Sequence, residues 1–273
     1  MTVKVLERFI QGKLSEEACE DAIFMSDDFI AVIDGVTSKS DFLYEKKTTG
    51  KLAAQITASV LGKLRQDAAW DEFIAQVNQE IQSFYQQVEF PYSQEEKGLQ
   101  AVCAVYSVYR REIWLIGDCQ VRIDGELYLN PKRSDDILAE MRCLMMNIER
   151  ADKQRKFSEE EAQQKARCLI EPWILRSTIF ANDSRTPYGY SILNGEPIPE
   201  SLIKIIHLDH SLHDVILASD GYPKVCANLE ESEAYLKKVL ESDKSCSEIY
   251  HSTKGVKDGH RSFDDRSYIR FRV

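Results

Sequence analysis

The sequence contains no run approaching the roughly 20 consecutive apolar residues that a helix needs to cross a bilayer, so no membrane-spanning helix is expected. It has no C-x-x-C pair. Its seven cysteines (Cys19, Cys103, Cys119, Cys143, Cys168, Cys226 and Cys246) are odd in number and scattered, and three of them lie in or beside apolar runs. That pattern speaks against a zinc site, a thiol redox motif or a disulfide framework, and for reduced, partly buried side chains. Positive charge is short: 35 Lys and Arg stand against 45 Asp and Glu, a net charge of −10. Such a surface repels nucleic-acid phosphates and argues against a sequence-independent nucleic-acid binder. The opening MTVKVLERFI alternates like a strand and lacks the charged-then-apolar layout of an export signal, so a cytoplasmic location is expected. Histidines are only five (His207, His210, His213, His251 and His260). The first three flank an apolar run as surface or turn residues, and His260 lies four positions before Asp264 in a polar loop.

What is present is ordinary globular material: 273 residues, 43% hydrophobic and 29% charged, enough for one large core. Residues 2–10 read as a strand, and FIAVID (29–34) reads as a strand buried on both faces that stops at Asp34-Gly35. Apolar residues then recur at helical spacing from about 44 to 64 and again from 71 to 88, which predicts two amphipathic helices. Two hairpins follow: 99–109 with 112–117, turning at Arg110-Arg111, and 121–124 with 126–130, turning at Asp124-Gly125. Residues 133–181 change character to charged helix and read as an insert, with Met141, Leu144, Met145 and Ile148 expected to face the core and a partner-binding face as the alternative. Strands return at 201–208, 214–219 and 267–273, with a helix at 229–240 between the last two. Strands, a helix pair, strands, helices and strands predict an α+β layered sandwich around antiparallel sheets, as a single domain over 1–273.

Acidic residues stand at or beside the ends of several apolar runs: Glu20-Asp21, Asp34, Asp118, Asp220 and Asp264. Any one Asp-Gly after a strand is ordinarily a turn, because Asp bonds its own backbone and Gly tolerates positive φ. Five such places are harder to reduce to turns, since strands that pack together bring their ends together. Clustered carboxylates repel unless cations offset them. Hard oxygen ligands on rigid strand ends suit Mg²⁺ or Mn²⁺ rather than zinc. A pair of such ions, held ~4 Å apart, would activate water and clamp a phosphoryl oxygen. Bound cations would also reverse the local sign in a protein this acidic.

In order and wording these segments resemble the metal-dependent (PPM, type 2C) serine/threonine protein phosphatases. That family carries E-D-A early, a strand ending D-G, a G-D-S-R strand end, an apolar run ending S-D-G and a late S-x-D-N-x-T. The chain offers Glu20-Asp21-Ala22, Asp34-Gly35, Gly117-Asp118-Cys119-Gln120, Ser219-Asp220-Gly221 and Ser262-Phe263-Asp264-Asp265-Arg266-Ser267. The resemblance implies a four-layer α-β-β-α sandwich of two antiparallel β-sheets flanked by helices, with the metals at one end. It implies that Asp34 bridges two Mn²⁺ or Mg²⁺ ions, with the Gly35 carbonyl on one of them. Asp220 and Asp264 would complete the second site, Asp21 with Glu20 behind it would hold metal-bound waters, and Asp118 with Asp220 would hold a weaker third ion. The implied activity is hydrolysis of phosphoserine or phosphothreonine in a phosphoprotein substrate by water activated between two metals, with Asp34 and Asp220 as its catalytic carboxylates.

The chain departs from that pattern on the substrate side. Asp34-Gly35-Val36-Thr37-Ser38 lacks the histidine often found after the Asp-Gly, and Gln120 replaces an arginine. The phosphate-binding arginine before Glu-Asp is missing, which leaves Lys13 as the one basic residue of GKLSEEACED and the substrate-binding candidate. Metal binding is therefore expected to be kept and substrate handling altered. Two other readings stay open: a catalytically weak regulatory or binding module, and a small-molecule phosphatase. Arg185-Thr186-Pro187-Tyr188-Gly189-Tyr190 is read as a structural crossover, with a substrate-facing flap as the alternative.

Overall fold

In a computed structural model the structure describes residues 3–152, 154 and 157–273. Two sheets of five strands face each other, and every paired neighbour is antiparallel. The chain opens with β1 (Lys4–Gln11), β2 (Ala22–Met25) and β3 (Phe29–Gly35), followed by α1 (Thr49–Leu61), α2 (Trp70–Gln87) and the short α3 (Gln94–Lys97). The hairpins are β4 (Ala101–Ser107) with β5 (Glu112–Ile116) and β6 (Gln120–Ile123) with β7 (Glu126–Leu129). Then come α4 (Arg133–Ala151), α5 (Glu159–Arg176), β8 (Lys204–His207), β9 (Asp214–Ala218), α6 (Leu229–Ser242) and β10 (Arg266–Arg272). One sheet runs β1-β10-β9-β6-β7, the other β2-β3-β4-β5-β8.

The period of two along β3 builds the layers. Ile30 and Val32 point to the core between the sheets, where they join Val102, Ala104, Leu115, Val121, Leu217, Ile269 and Phe271. Phe29, Ala31 and Ile33 point the other way, onto Leu52, Ala53 and Val60 of α1 and Phe73, Val77 and Ile81 of α2. A residue run apolar on both faces is thus satisfied by a sheet on one side and helices on the other. The second sheet repeats this outward: Ile216, Ala218 and Tyr268 cover Leu236 of α6. The expected four-layer α+β sandwich is the observed architecture, and β2 and α3 are additions that the sequence pattern did not mark.

Helix starts follow local chemistry. Thr48 accepts from Lys51 N–H, Asn228 accepts from Glu231 N–H, and Ser158 with Glu161 forms a reciprocal capping box. In the second hairpin, Asp124 (φ 49°) and Gly125 (φ 96°) take the two left-handed positions of a tight turn.

The stretch 133–181 folds as α4, α5 and a 3-10 turn (Ser177–Phe180); residues 153, 155 and 156, and residue 2 of the first predicted strand, lie outside the described residues. α4 and α5 pack on each other through Leu138, Ile170 and Ile174, with Met145 against them. The expectation that Met141, Leu144 and Ile148 are core is corrected: they are 37%, 61% and 57% exposed. α4 is instead turned so that Leu138, Arg142 and Met146 face inward. The reason is polar. The fully buried Arg142 donates to the carbonyl oxygens of Ser245 (2.9 Å), Ser252 (3.0 Å) and Cys246 (3.3 Å), in the loop that follows α6. A guanidinium placed on the outer face would leave the Ser245 and Ser252 carbonyls without their donor.

Candidate active site

The topology brings the predicted acids to one end of the sandwich. Asp34 closes β3 opposite Val102 of β4, and Asp118 follows β5, whose Ile116 pairs with Cys103, the next residue of β4. Asp220 follows β9 and Asp264 precedes β10. Those two strand ends are tied where Ser219 N–H donates to the Ser267 carbonyl and Ser267 N–H donates to Ser219 Oγ, 3.0 and 2.9 Å. Asp34, Asp118, Asp220 and Asp264 all line a single cavity of about 300 Å³. Asp21, Glu20 and Gly35 do not line it.

Glycine is required where the backbone is tightest. A Cβ on Gly35 would come within 2.3 Å of the Gly50 carbonyl oxygen and 2.6 Å of the Glu20 carbonyl oxygen. Gly117, at φ 76°, turns the chain so that Asp118 enters the cavity, and its N–H donates to Ser191 Oγ at 2.9 Å.

Electrostatically the carboxylates are in conflict. Burial, together with the charges of Asp21, Asp220, Asp264 and Asp118, pushes Asp34 well above the usual carboxylate range. Burial, then Asp264 and Asp118, push Asp220 up to about 7, with a hydrogen bond between Asp34 and Asp220 partly offsetting this. Asp118 is also raised, by burial and then by Asp135. Asp21 is raised to about 7 by burial; its Oδ2 accepts from Ser267 Oγ at 2.7 Å, while its buried Oδ1 has no hydrogen-bond partner. These are the signs of like charges held together out of water.

Asp264 differs. Burial would raise it too, but Lys254 and Lys13 outweigh that and hold it well below its ordinary value. Lys13 Nζ lies 3.0 Å from Asp264 Oδ1, and Lys254 Nζ sits on Oδ2. Lys13 also pairs with Asp265 (3.5 Å) and Glu20 (3.6 Å) and donates to Thr37 Oγ1 at 2.8 Å. Lys13 is therefore surrounded by carboxylates and does not line the cavity, contrary to the substrate-facing position expected of it. Glu20 also accepts from Thr48 Oγ1 (2.6 Å) and from Ser38 N–H (3.3 Å), and Asp265 accepts from the Lys13 and Glu20 N–H groups (2.7 and 3.1 Å). Among the described residues, no group of three or more His, Cys, Asp or Glu side chains is disposed to hold a metal ion as it stands.

Other sequence expectations find definite places. Gln120 donates to the Tyr222 carbonyl (2.6 Å) and accepts from Val225 N–H (3.3 Å), so it braces the loop that carries Asp220. All seven cysteines are free thiols. Cys119, beside Asp118, is raised far above an ordinary thiol by burial and then by Asp34, which disfavours a thiolate nucleophile. His207 and His210 are exposed, and His260 lies outside the cavity wall. Of the 185–190 segment only Tyr190 lines the cavity; Arg185 is exposed and pairs with Asp183.

The sequence reading missed a second group on the same wall: Lys39, Lys132, Asp135, Arg167 and Lys254. Each is a common surface residue type in a polar or helical stretch. No spacing marks them, because four separate segments deliver them.

No protein-family model and no curated protein matches the chain. Solved structures do. The chain is similar to the catalytic domain of the serine/threonine protein phosphatase PstP in complex with two manganese ions, at 13% identity, with 100% of each chain covered and a TM-score of 0.50. The chain has the PPM phosphatase fold. Further solved structures with this fold include the Mycobacterium tuberculosis serine/threonine phosphatase PstP/Ppp (14% identity, 100% and 99% covered, TM-score 0.49). Another is RsbX in complex with magnesium (12% identity, 99% and 98% covered, TM-score 0.44). At 13% identity, what is shared with the manganese-bound structure is the fold alone. Among the described residues no helix is long and apolar enough to cross a membrane.

Proposed function

We propose that this chain is a metal-dependent phosphomonoester hydrolase acting on phosphoserine or phosphothreonine of cytoplasmic phosphoproteins. The observation that carries the reading is the meeting of Asp34, Asp118, Asp220 and Asp264, from four separate strand ends, in one half-buried cavity. The donor set fits a hard divalent cation. It is all oxygen, it is mutually repelling, and it includes a buried carboxylate oxygen of Asp21 with no partner. Asp34 and Asp220, with Asp118, Asp21 and the Gly35 carbonyl, are the residues that would hold Mn²⁺ or Mg²⁺. Divalent cations bound there supply positive charge for phosphoryl oxygens and bring the ionisation of water towards neutral pH.

The chain's own residues do the rest. Asp34 and Asp220 share a hydrogen bond, and with both raised they can hold a proton between them until a stronger positive charge displaces it. Ser267 orients Asp21, and Gln120 fixes the loop behind Asp220. Lys254 and Thr37 face the cavity as donors towards an anionic group.

One observation favours a second reading. Both Asp264 oxygens are engaged by lysines, which weakens that carboxylate as a ligand and suits a regulatory or binding module of low activity. The test is release of phosphate from an aryl phosphate and from a phosphopeptide, with Mn²⁺ and then with chelator. Mn²⁺-dependent turnover that disappears in Asp34→Asn supports the hydrolase. Tight Mn²⁺ binding without turnover of either substrate favours the binding module. Turnover of the aryl phosphate but not the peptide favours a small-molecule substrate.

A further inference from the structure

We propose that Lys39, Arg167 and Lys254 form an anion subsite on the cavity wall that receives the phosphoryl group, which makes helix α5 of the insert part of the substrate-binding apparatus. The proposal deepens the hydrolase reading and rests on it for the identity of the anion.

The argument begins from charge. In a chain of net charge −10, three cations from three distant segments converge on one cavity. Lys39 comes from the β3–α1 connection, Arg167 from α5 and Lys254 from the loop after α6. Other nearby cations are already matched. Lys13 has three carboxylates. Lys132 pairs with Asp135 at 3.0 Å and lies 4.5 Å over the Tyr190 ring. Lys39 is different: among the described residues its side chain has no hydrogen-bond or ion-pair partner. Burial first, and then two more cations, Lys254 and Arg167, push its ammonium down to about 7. Arg167 uses one N–H on the Thr253 carbonyl oxygen, at 2.8 Å, and has no ion pair among the described residues.

Lys254 is already paired with Asp264, but Lys39 and Arg167 have no ion pair among the described residues, and like charges gathered in a half-buried cavity are unfavourable unless an anion joins them. A guanidinium fork beside two ammoniums is a chemistry suited to a tetrahedral oxyanion. Thr37 adds a hydroxyl between Lys13 and Lys254, at 2.8 and 3.5 Å from their Nζ atoms.

The local architecture holds these cations in place. Arg142 of α4 and Gln163 of α5 bond backbone carbonyls of the loop on either side of Lys254, and Arg167 itself bonds the residue before it. The insert and the Lys254 loop therefore form one braced unit at the cavity mouth. This supplies positive charge from elsewhere in the fold where the sequence lacks the arginine before Glu20-Asp21.

The experiment measures inorganic phosphate binding by calorimetry and ³¹P NMR, on Mg²⁺-loaded protein and on protein stripped with chelator. Lys39→Met and Arg167→Met are each expected to weaken phosphate at least tenfold in the Mg²⁺-loaded protein, about 1.4 kcal/mol. Their Mn²⁺ affinity, measured without phosphate, should stay within about threefold of wild type, since a tenfold change is ~1.4 kcal/mol. Lys39→Arg should retain phosphate binding, which separates loss of charge from loss of fold. Phosphate affinity within twofold of wild type in both Met variants, on protein that is folded by circular dichroism, overturns the subsite. The two readings fail separately. Phosphate binding that depends on Lys39 and Arg167 without turnover of any phosphomonoester sinks the hydrolase and keeps the subsite. Turnover that Asp34→Asn abolishes, with phosphate affinity unchanged in both Met variants, does the reverse.

Discussion

Replacing Asp220 with Asn separates the cost of the buried carboxylates from their use. Burial and the charges of Asp264 and Asp118 raise Asp220 from 3.8 to about 7. The folded state therefore binds a proton more tightly than the unfolded chain. Stability from this group is fully present below about pH 4 and is lost as pH rises through about 7. At ~1.4 kcal/mol per unit, the penalty at pH 8 without metal is on the order of 4 kcal/mol. Asn keeps the shape, removes the charge and still offers an amide oxygen to accept from Asp34. The variant should gain ~2–4 kcal/mol in chelator at pH 8, roughly 5–10 °C in Tm for a chain of this size. The gain should vanish near pH 4. Added Mn²⁺ reverses the order: a wild-type protein at a hundredfold excess over Kd gains ~2.7 kcal/mol, and the variant gains much less. Differential scanning calorimetry with chelator and with Mn²⁺, at pH 4.5 and 8, reads all four values. A variant that is less stable than wild type in chelator at pH 8, yet keeps the full Mn²⁺ shift, would refute the reasoning.

Gly35→Ala places a methyl 2.3 Å from the Gly50 carbonyl oxygen, backbone against backbone, so β3 or α1 must move. The expected result is a loss of ~4 kcal/mol or more, or no soluble protein, read by urea denaturation; a midpoint within experimental error of wild type would count against that contact. On α4, Leu144→Ser should change stability by less than ~0.5 kcal/mol because the side chain is exposed, whereas Arg142→Met should cost ~3 kcal/mol by leaving the Ser245 and Ser252 carbonyls without their donor. Equal costs would mean that α4 is rotated. His213, half-buried between Asp124 (2.6 Å) and Asp209 (2.9 Å), is raised above its ordinary value, first by the Asp124 hydrogen bond. Its contribution, below ~1 kcal/mol, is full below about pH 6.5 and fades as pH rises through the folded value. His213→Gln should flatten that part of the stability curve, and an NMR titration of His213 at or below its ordinary value would contradict the pairing.

The sequence by itself determined the layers and the acids. Period-two burial along FIAVID, the Asp-Gly stops and the helical spacing of residues 52–84 are local signals, set by backbone geometry and by which faces must leave water. They specified the sandwich, its main strands and the strand-end positions of Asp34, Asp118, Asp220 and Asp264. Only the tertiary structure decided what surrounds those acids. Lys13 looked like the single basic residue near Glu20-Asp21, but Asp265 and Asp264, about 250 positions away in the chain, close round it. Lys254, Lys39 and Arg167 carry no motif, because their meeting depends on where three connections fold back over one sheet end. The orientation of α4 was equally hidden. Its apolar stripe at 141, 144 and 148 and its inner face at 138, 142 and 146 have similar helical spacing, and hydropathy favoured the wrong one. Three carbonyl oxygens in a loop about 100 residues downstream turned the helix, since a buried guanidinium must lie where its donors can be matched.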